Sequence, residues 1–202
     1  MRKALERNRQ WEYLEDKHKH GGENSGPSVP FKVLSYNVLS QALLEEHTYL
    51  YQYHDKIALD WNYRKKLLMA EIRQARAHIL CLQEVQQTHL GSFYSQLEKL
   101  GYRGVFKQRT HGKVDGVAVY YHADMFDLYD YTTVEFYQPG VSVLNRDNVG
   151  LVVKLCVRGG MPAQQIVVAT THLLFNSRRH DVKLAQTQLL LTEIERFAFQ
   201  GV

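Results

Sequence analysis

Residues 78–85, HILCLQEV, leave the chain little choice of structure. Ile79, Leu80, Cys81, Leu82 and Val85 make a short, nearly continuous apolar run, and such a run suits a strand buried within a core. Gln83 and Glu84 then appear near its end with no turn signal before them. A carboxylate left unpaired in such a place is costly. Glu84 is thus either a solvated strand end or a group with a partner still to be found.

The rest of the chain is organised around similar runs. FKVLSYNVL (31–39) reads as a strand. Residues 60–76 read as a helix with Asp60 as N-cap and Trp61, Leu68, Ile72 and Ala75 at helical spacing. A second helix is expected over 88–100, stopped by Gly101. Strands follow at 102–109, 115–122 and 126–136, with a turn at His111-Gly112. NVGLVVKLCV (148–157) and QQIVVATTHLL (164–174) flank RGGMP, a hairpin signal. A helix from Asp181 to Ala198 is expected to present Leu184, Leu191, Ile194 and Ala198 on one side. The succession of β-runs from residue 102 onward predicts much antiparallel pairing in an α/β (α+β) protein, a sheet with helices on one face. Residues 1–30 read as a charged, flexible flank and linker, ending in GGENSGPSVP. KHKH at 17–20 belongs to that solvated flank.

Three of the apolar runs end in polar groups: VLSYN in Asn37, CLQE in Glu84 and VVATTH in His172. The run RDN at 146–148 introduces another strand. Tips of neighbouring strands gather at one edge of a sheet, where a site can stand on rigid elements. One carboxylate with amide and imidazole groups suits Mg²⁺, which needs only one or two protein carboxylates and keeps several waters. Asn37 could orient Glu84 or a nucleophile, and His172 could donate to a phosphoryl oxygen. Asn148 and Asn176 could add donors, and Arg109, Arg146, Arg178 and Arg179 could hold phosphates. Singly, each has a plainer use: turn former, solvated end or scaffold histidine.

Bulk properties narrow the classes. An apolar fraction of 45% supports a real core, and a net charge of +4 with a pI near 9.0 is compatible with nucleic acid. Cys81 and Cys156 lie in apolar runs without metal-ligand spacing, so two reduced thiols are expected rather than a zinc site. No stretch has the length of a membrane span and no signal peptide opens the sequence, so a cytoplasmic, and also nuclear, location is expected.

SYN followed by CLQEV resembles the endonuclease/exonuclease/phosphatase superfamily. The series SYNVLSQ, WNYR, ILCLQEVQ, DGVAVYY, LNRDNVGLV, THLLFNSRR and DVKLAQ is similar to the Angel proteins of its deadenylase-like branch. Trp11-Glu12-Tyr13 resembles the short motif preceding the Angel domain. The resemblance implies a two-sheet α/β sandwich over residues 31–202, of which mostly the first sheet with its helices is expected. It implies a Mg²⁺-dependent RNA 3′-end hydrolase of poly(A)-exoribonuclease type or, alternatively, a phosphatase of terminal or cyclic RNA phosphates. By position, Glu84 matches the family's metal-binding glutamate, and Asn37 and His172 its catalytic asparagine and histidine. Asn148 and Asn176 match substrate-side asparagines.

The departures are specific. Thr170-Thr171-His172 stands where Asn-Thr-His is usual, and neither GDFN nor Ser-Asp-His, which place the nucleophile in the family, occurs in the sequence. A chain ending before those motifs is expected to hold Mg²⁺ weakly, and to be weak or inactive in turnover. It is also expected to leave an apolar edge that a protein partner could cover. A non-catalytic RNA- or protein-binding fragment is therefore the remaining alternative. YRKKLLM (63–69) also fits the pattern of peptides that dock on the cap-binding initiation factor, although Leu67 and Leu68 are more simply core.

Overall fold

The computed structural model describes residues 29–159 and 164–199. Apart from Val29 and Pro30, the expected flank lies outside the described residues, as do KHKH, Trp11-Glu12-Tyr13 and Gly160, Met161 and Pro162 of RGGMP. Among the described residues, seven strands form two sheets. The first contains β1 (Val33–Asn37), β2 (Ile79–Gln86), β3 (Tyr102–Gln108) and β4 (Asp115–His122), in the order β1-β2-β4-β3. The second contains β5 (Phe126–Glu135), β6 (Val149–Val157) and β7 (Gln165–Thr171), in that order. Among the described strands, β1 and β2 pair in parallel and the other pairs are antiparallel.

The β1–β2 crossover carries three α-helices, α1 (Gln41–Glu46), α2 (Lys56–Leu59) and α3 (Trp61–Ala75), and a 3₁₀ turn at Thr48–Tyr51. Helix α3 starts where Asp60 accepts hydrogen bonds from the backbone N–H groups of Asn62 and Tyr63, the expected N-cap. Its apolar face, Leu68, Met69 and Ile72, packs with Leu80, Leu82, Val85 and Ala118 on the outer face of the first sheet. Leu68 is thus a core residue and is not displayed as a docking peptide would need. A second cluster joins the sheets face to face: Ile79, Cys81, Val117 and Val119 meet Val149, Leu151, Val153 and Leu155. A third seats α4 (His180–Phe199) on the outer face of the second sheet through Leu190 and Phe197 against Val134, Phe136 and Val152.

Three expectations need correction. The helix expected at 88–100 is two 3₁₀ segments, Gln87–His89 and Tyr94–Leu100. Gly91 and Ser92 are weak helix formers between them, and the backbone closes i→i+3 bonds such as Leu90 N–H to Gln87 O and Gln96 N–H to Phe93 O. The face of α4 is also different. Leu184 and Leu191 are exposed, while Val182, Gln186, Leu190 and Phe197 are buried. Finally, β7 ends at Thr171, so His172, Leu173 and Leu174 leave the sheet instead of extending it.

Candidate active site

β1 and β2 run parallel with Asn37 opposite Gln83, so both reach the same edge of the first sheet. Glu84 is not the last residue of β2. It sits in a β-bulge between Gln83 and Val85, with φ +59°. A bulge at a sheet rim re-aims one side chain, and a non-glycine residue in the left-handed region stores strain of a kind common at functional sites. The displaced Glu84 side chain turns toward the segment after β1. Asn37 Nδ2 donates to Glu84 Oε1 at 2.7 Å, and Ser40 N–H donates to Glu84 Oε2 at 3.1 Å. Asn37 Oδ1 accepts from Leu39 N–H at 2.9 Å, closing a tight turn in which Leu39 has φ +55°.

Arg64 of α3 braces that turn. Its guanidinium donates to the carbonyls of Val38 at 2.9 Å and Leu39 at 2.7 Å, and to Gln41 Oε1 at 2.7 Å. Burial lowers its pKa from the usual guanidinium value, opposed by Tyr36, Tyr51, Tyr94 and Glu84.

His172 approaches from the other sheet, with Nδ1 3.8 Å from Glu84 Oε1. Thr171 Oγ1 donates to Val149 O at 2.9 Å just before it. Gln83 bridges the sheets beneath the site, donating through Nε2 to Thr170 Oγ1 at 2.9 Å. Asn148 is buried against this arm, and its Nδ2 donates to His172 O at 2.8 Å.

Asn37, Glu84, His172 and Asn148 therefore come together. Asn176 and Arg109 are placed differently. Asn176 is exposed in a turn, where its Oδ1 accepts from Arg178 N–H at 2.9 Å. Arg109 donates to the buried Asp115 at 3.1 Å. Burial pushes the Asp115 carboxyl up and Arg109 draws it down, while the nearby Glu84 carboxylate adds to the rise. Arg179 is spent on Asp181, at 2.9 Å. Ser40, Arg64 and Gln186 escaped the sequence reading. Ser40 acts through its backbone, which no side-chain pattern reveals. Arg64 lay within the WNYR motif without a stated role, and Gln186 within DVKLAQ.

No group of three or more His, Cys, Asp or Glu side chains among the described residues is placed to hold a metal ion. A closed protein cage is therefore not what these residues form. Glu84, with one carboxylate held by two N–H donors at a sheet rim, fits a hard cation that keeps its waters and takes further oxygens from a substrate.

The sequence matches the Endonuclease/Exonuclease/phosphatase family over residues 34–196. It is 42% identical to Protein angel homolog 2 of Homo sapiens, over 95% of this chain but 38% of that protein. It is 39% identical to Protein angel of Drosophila melanogaster, over 98% of this chain and 56% of that protein. Among solved structures, ANGEL2, described as a 2′,3′-cyclic phosphatase in complex with adenosine-2′,3′-vanadate, superposes with a TM-score of 0.79. The identity there is 45%, over 85% of this chain and 49% of that one. The human Nocturnin catalytic domain with a bound sulfate anion gives a TM-score of 0.67 at 25% identity, over 83% of this chain and 58% of that one. The chain spans well under two thirds of the length of each of these relatives. With a family match across most of its length and the two-sheet architecture in agreement, the chain belongs to the endonuclease/exonuclease/phosphatase family, and within it is similar to the Angel proteins.

Proposed function

We propose that the chain carries the Glu84 half of a Mg²⁺-dependent phosphoesterase site acting at the 3′ end of RNA, with a terminal 2′,3′-cyclic phosphate as its first substrate. The observation that carries this is the convergence of three groups at one rim of the two sheets: Glu84 within 2.7 Å of Asn37 and 3.8 Å of His172, one carboxylate flanked by an amide and an imidazole. The cyclic ester is favoured over poly(A) because the similar structure at 45% identity is described as a cyclic phosphatase. Removal of poly(A) residues from a 3′-hydroxyl end is the second reading, on the deadenylase-like motif series.

Glu84 would hold the cation, and Asn37 and the Ser40 N–H hold its carboxylate in one orientation. A bound Mg²⁺ would stabilise negative charge on the phosphoryl oxygens during displacement. His172 donates to a non-bridging phosphoryl oxygen from the opposite sheet. Asn148 holds the backbone of His172, while Arg109 and Asn176, which stand apart from this cluster, are given to substrate binding on residue type and family resemblance alone. On the resemblance, the residues that place or activate the attacking water are those of GDFN, which does not occur in these 202 residues. The open groove of about 770 Å³ between β1 and β7, lined by Phe31, Val33, Cys81 and Ile166, is the surface a protein partner would cover.

The test is hydrolysis of oligoribonucleotides ending in a 2′,3′-cyclic phosphate or in a 3′-hydroxyl oligoadenylate, with Mg²⁺ or with EDTA. Cyclic-end opening that needs Mg²⁺ and is lost in Glu84→Gln supports the first reading, and shortening of oligoadenylate supports the second. RNA binding with neither reaction would leave the chain a non-catalytic binding fragment.

A further inference from the structure

Gln186 lies well inside α4 and is 0% exposed. Its helix face is otherwise apolar, with Val182, Leu190 and Phe197. A primary amide in such a place is unfavourable unless both of its ends are bonded, and both are. Oε1 accepts from Leu174 N–H at 3.1 Å, and Nε2 donates to Asn148 Oδ1 at 3.1 Å. Asn148 in turn donates from Nδ2 to His172 O at 2.8 Å.

One side chain therefore grips the His172 segment twice: two residues beyond the histidine, and through Asn148 at the histidine's own carbonyl. This matters because β7 ends at Thr171. The sheet ladder registers Thr171 against Gly150 and goes no further. The backbone that carries the imidazole is fixed from α4 instead.

We propose that Gln186 is a positioning residue: by bonding Leu174 N–H and Asn148 together, it sets where the His172 imidazole stands relative to Glu84. The consequence for turnover rests on the role given to His172 above, while the positioning itself does not. Gln186 touches no substrate. Its effect is on the placement of a reacting group, where a displacement of about 1 Å costs about a hundredfold in rate.

The test uses two variants of the 202-residue chain. Gln186→Leu keeps the bulk of the side chain and removes both bonds. Gln186→Glu keeps the acceptor for Leu174 N–H. The introduced carboxyl can still donate to Asn148 while it is protonated, and loses that ability on ionising; burial raises the pH at which it ionises. The first readout needs no catalysis: the NMR signals of the His172 imidazole and of the Leu174 amide, with hydrogen exchange at Leu174. Gln186→Leu is expected to shift the imidazole signals and speed Leu174 exchange by about tenfold or more, one 1.4 kcal/mol factor being tenfold. Gln186→Glu is expected to look native at low pH and to shift only as pH rises.

The second readout is Mg²⁺-dependent opening of the cyclic-phosphate oligomer. In Gln186→Leu, kcat is expected to fall by about 10- to 100-fold with KM within about twofold, and Gln186→Glu is expected to gain an alkaline loss absent from the native profile. Should Gln186→Leu fail to fold, the pH-dependent signals of Gln186→Glu decide alone. Unchanged His172 signals in a folded Gln186→Leu, or in Gln186→Glu across the whole pH range, would overturn the proposal. A native chain without turnover would instead count against the function, and the NMR signals would still decide the positioning.

Discussion

At the scale of single residues, Glu84 shows why a site can be half visible in a sequence. Its type and neighbourhood were legible, because a carboxylate against an apolar run asks for a partner. The bulge was not legible. On the even-odd alternation of a strand, Leu80, Leu82 and Glu84 would share one face, with Val85 on the other. In the structure Val85 joins the cluster of Leu80 and Leu82, so the parity flips at Glu84. Because β2 is buried on both faces, its sequence reads as continuous apolar and carries no mark of the flip. The prediction that follows concerns charge at constant shape. Glu84→Gln keeps an acceptor for only one of Asn37 and Ser40, and leaving the other donor without its oxygen is expected to cost about 1–3 kcal/mol of stability. It is expected to abolish Mg²⁺ binding, as read by calorimetry beside a denaturation curve. A second residue-scale prediction concerns pH. The Arg179 hydrogen bond, against an opposing effect of desolvation and helped by the backbone N–H of Val182, draws the exposed Asp181 carboxyl from 3.8 down to about 2. Any stability this pair contributes is complete above the ordinary carboxylate value and is lost as pH falls toward about 2. Carbon-13 titration should place the Asp181 midpoint near 2, and in Arg179→Ala it should return toward 3.8.

At the scale of elements, α3 was legible in its bounds and its face, whereas α4 was legible in its bounds but not in its buried face. Helix α3 has one polar cap, one apolar stripe and a charged remainder, so its boundaries followed from Asp60 and its core face from Leu68 and Ile72. Helix α4 contains Leu189-Leu190-Leu191 in succession, which gives an apolar residue to several faces at once. The presence of Gln186 on the buried face then misdirects the choice, since a glutamine reads as solvent-facing. What makes that face the right one is the hydrogen-bonded pair it finds in Asn148 and Leu174, and this pairing is tertiary. Helix α3 also acts on the site, because Arg64 holds the carbonyls of Val38 and Leu39 between the two donors that orient Glu84. Arg64→Ala is expected to weaken Mg²⁺ binding by about 10- to 100-fold, the range found when groups supporting a metal ligand are lost. Arg64→Lys is not expected to restore it fully, because one ammonium cannot reproduce the guanidinium fork. Calorimetric titration of the native chain and both variants would check this.

At the scale of the molecule, two sheets stacked face to face bring β2 and β7 to a common rim, and the inter-sheet cluster fixes that approach. The two-sheet architecture was legible from the strand runs only once the resemblance was added. Strand counts alone suggested a sheet under helices, because runs such as NVGLVVKLCV do not say which sheet they join. The groove between β1 and β7 leaves Val33 and Phe31 about half exposed beside β1, an edge strand among the described residues. Exposed apolar edges are where chains add to one another. Val33→Lys is expected to reduce concentration-dependent association in sedimentation velocity, while moving unfolding stability by only about 0.5 kcal/mol, as surface changes usually do.

The most direct test of the whole account is a Mn²⁺ titration, as a paramagnetic stand-in for Mg²⁺, followed by NMR on the native chain and on Glu84→Gln. The account predicts selective broadening of the Asn37, Ser40, Glu84 and His172 signals in the native chain and none of it in the variant. Broadening that persists in Glu84→Gln, or that centres on another part of the molecule, would contradict it.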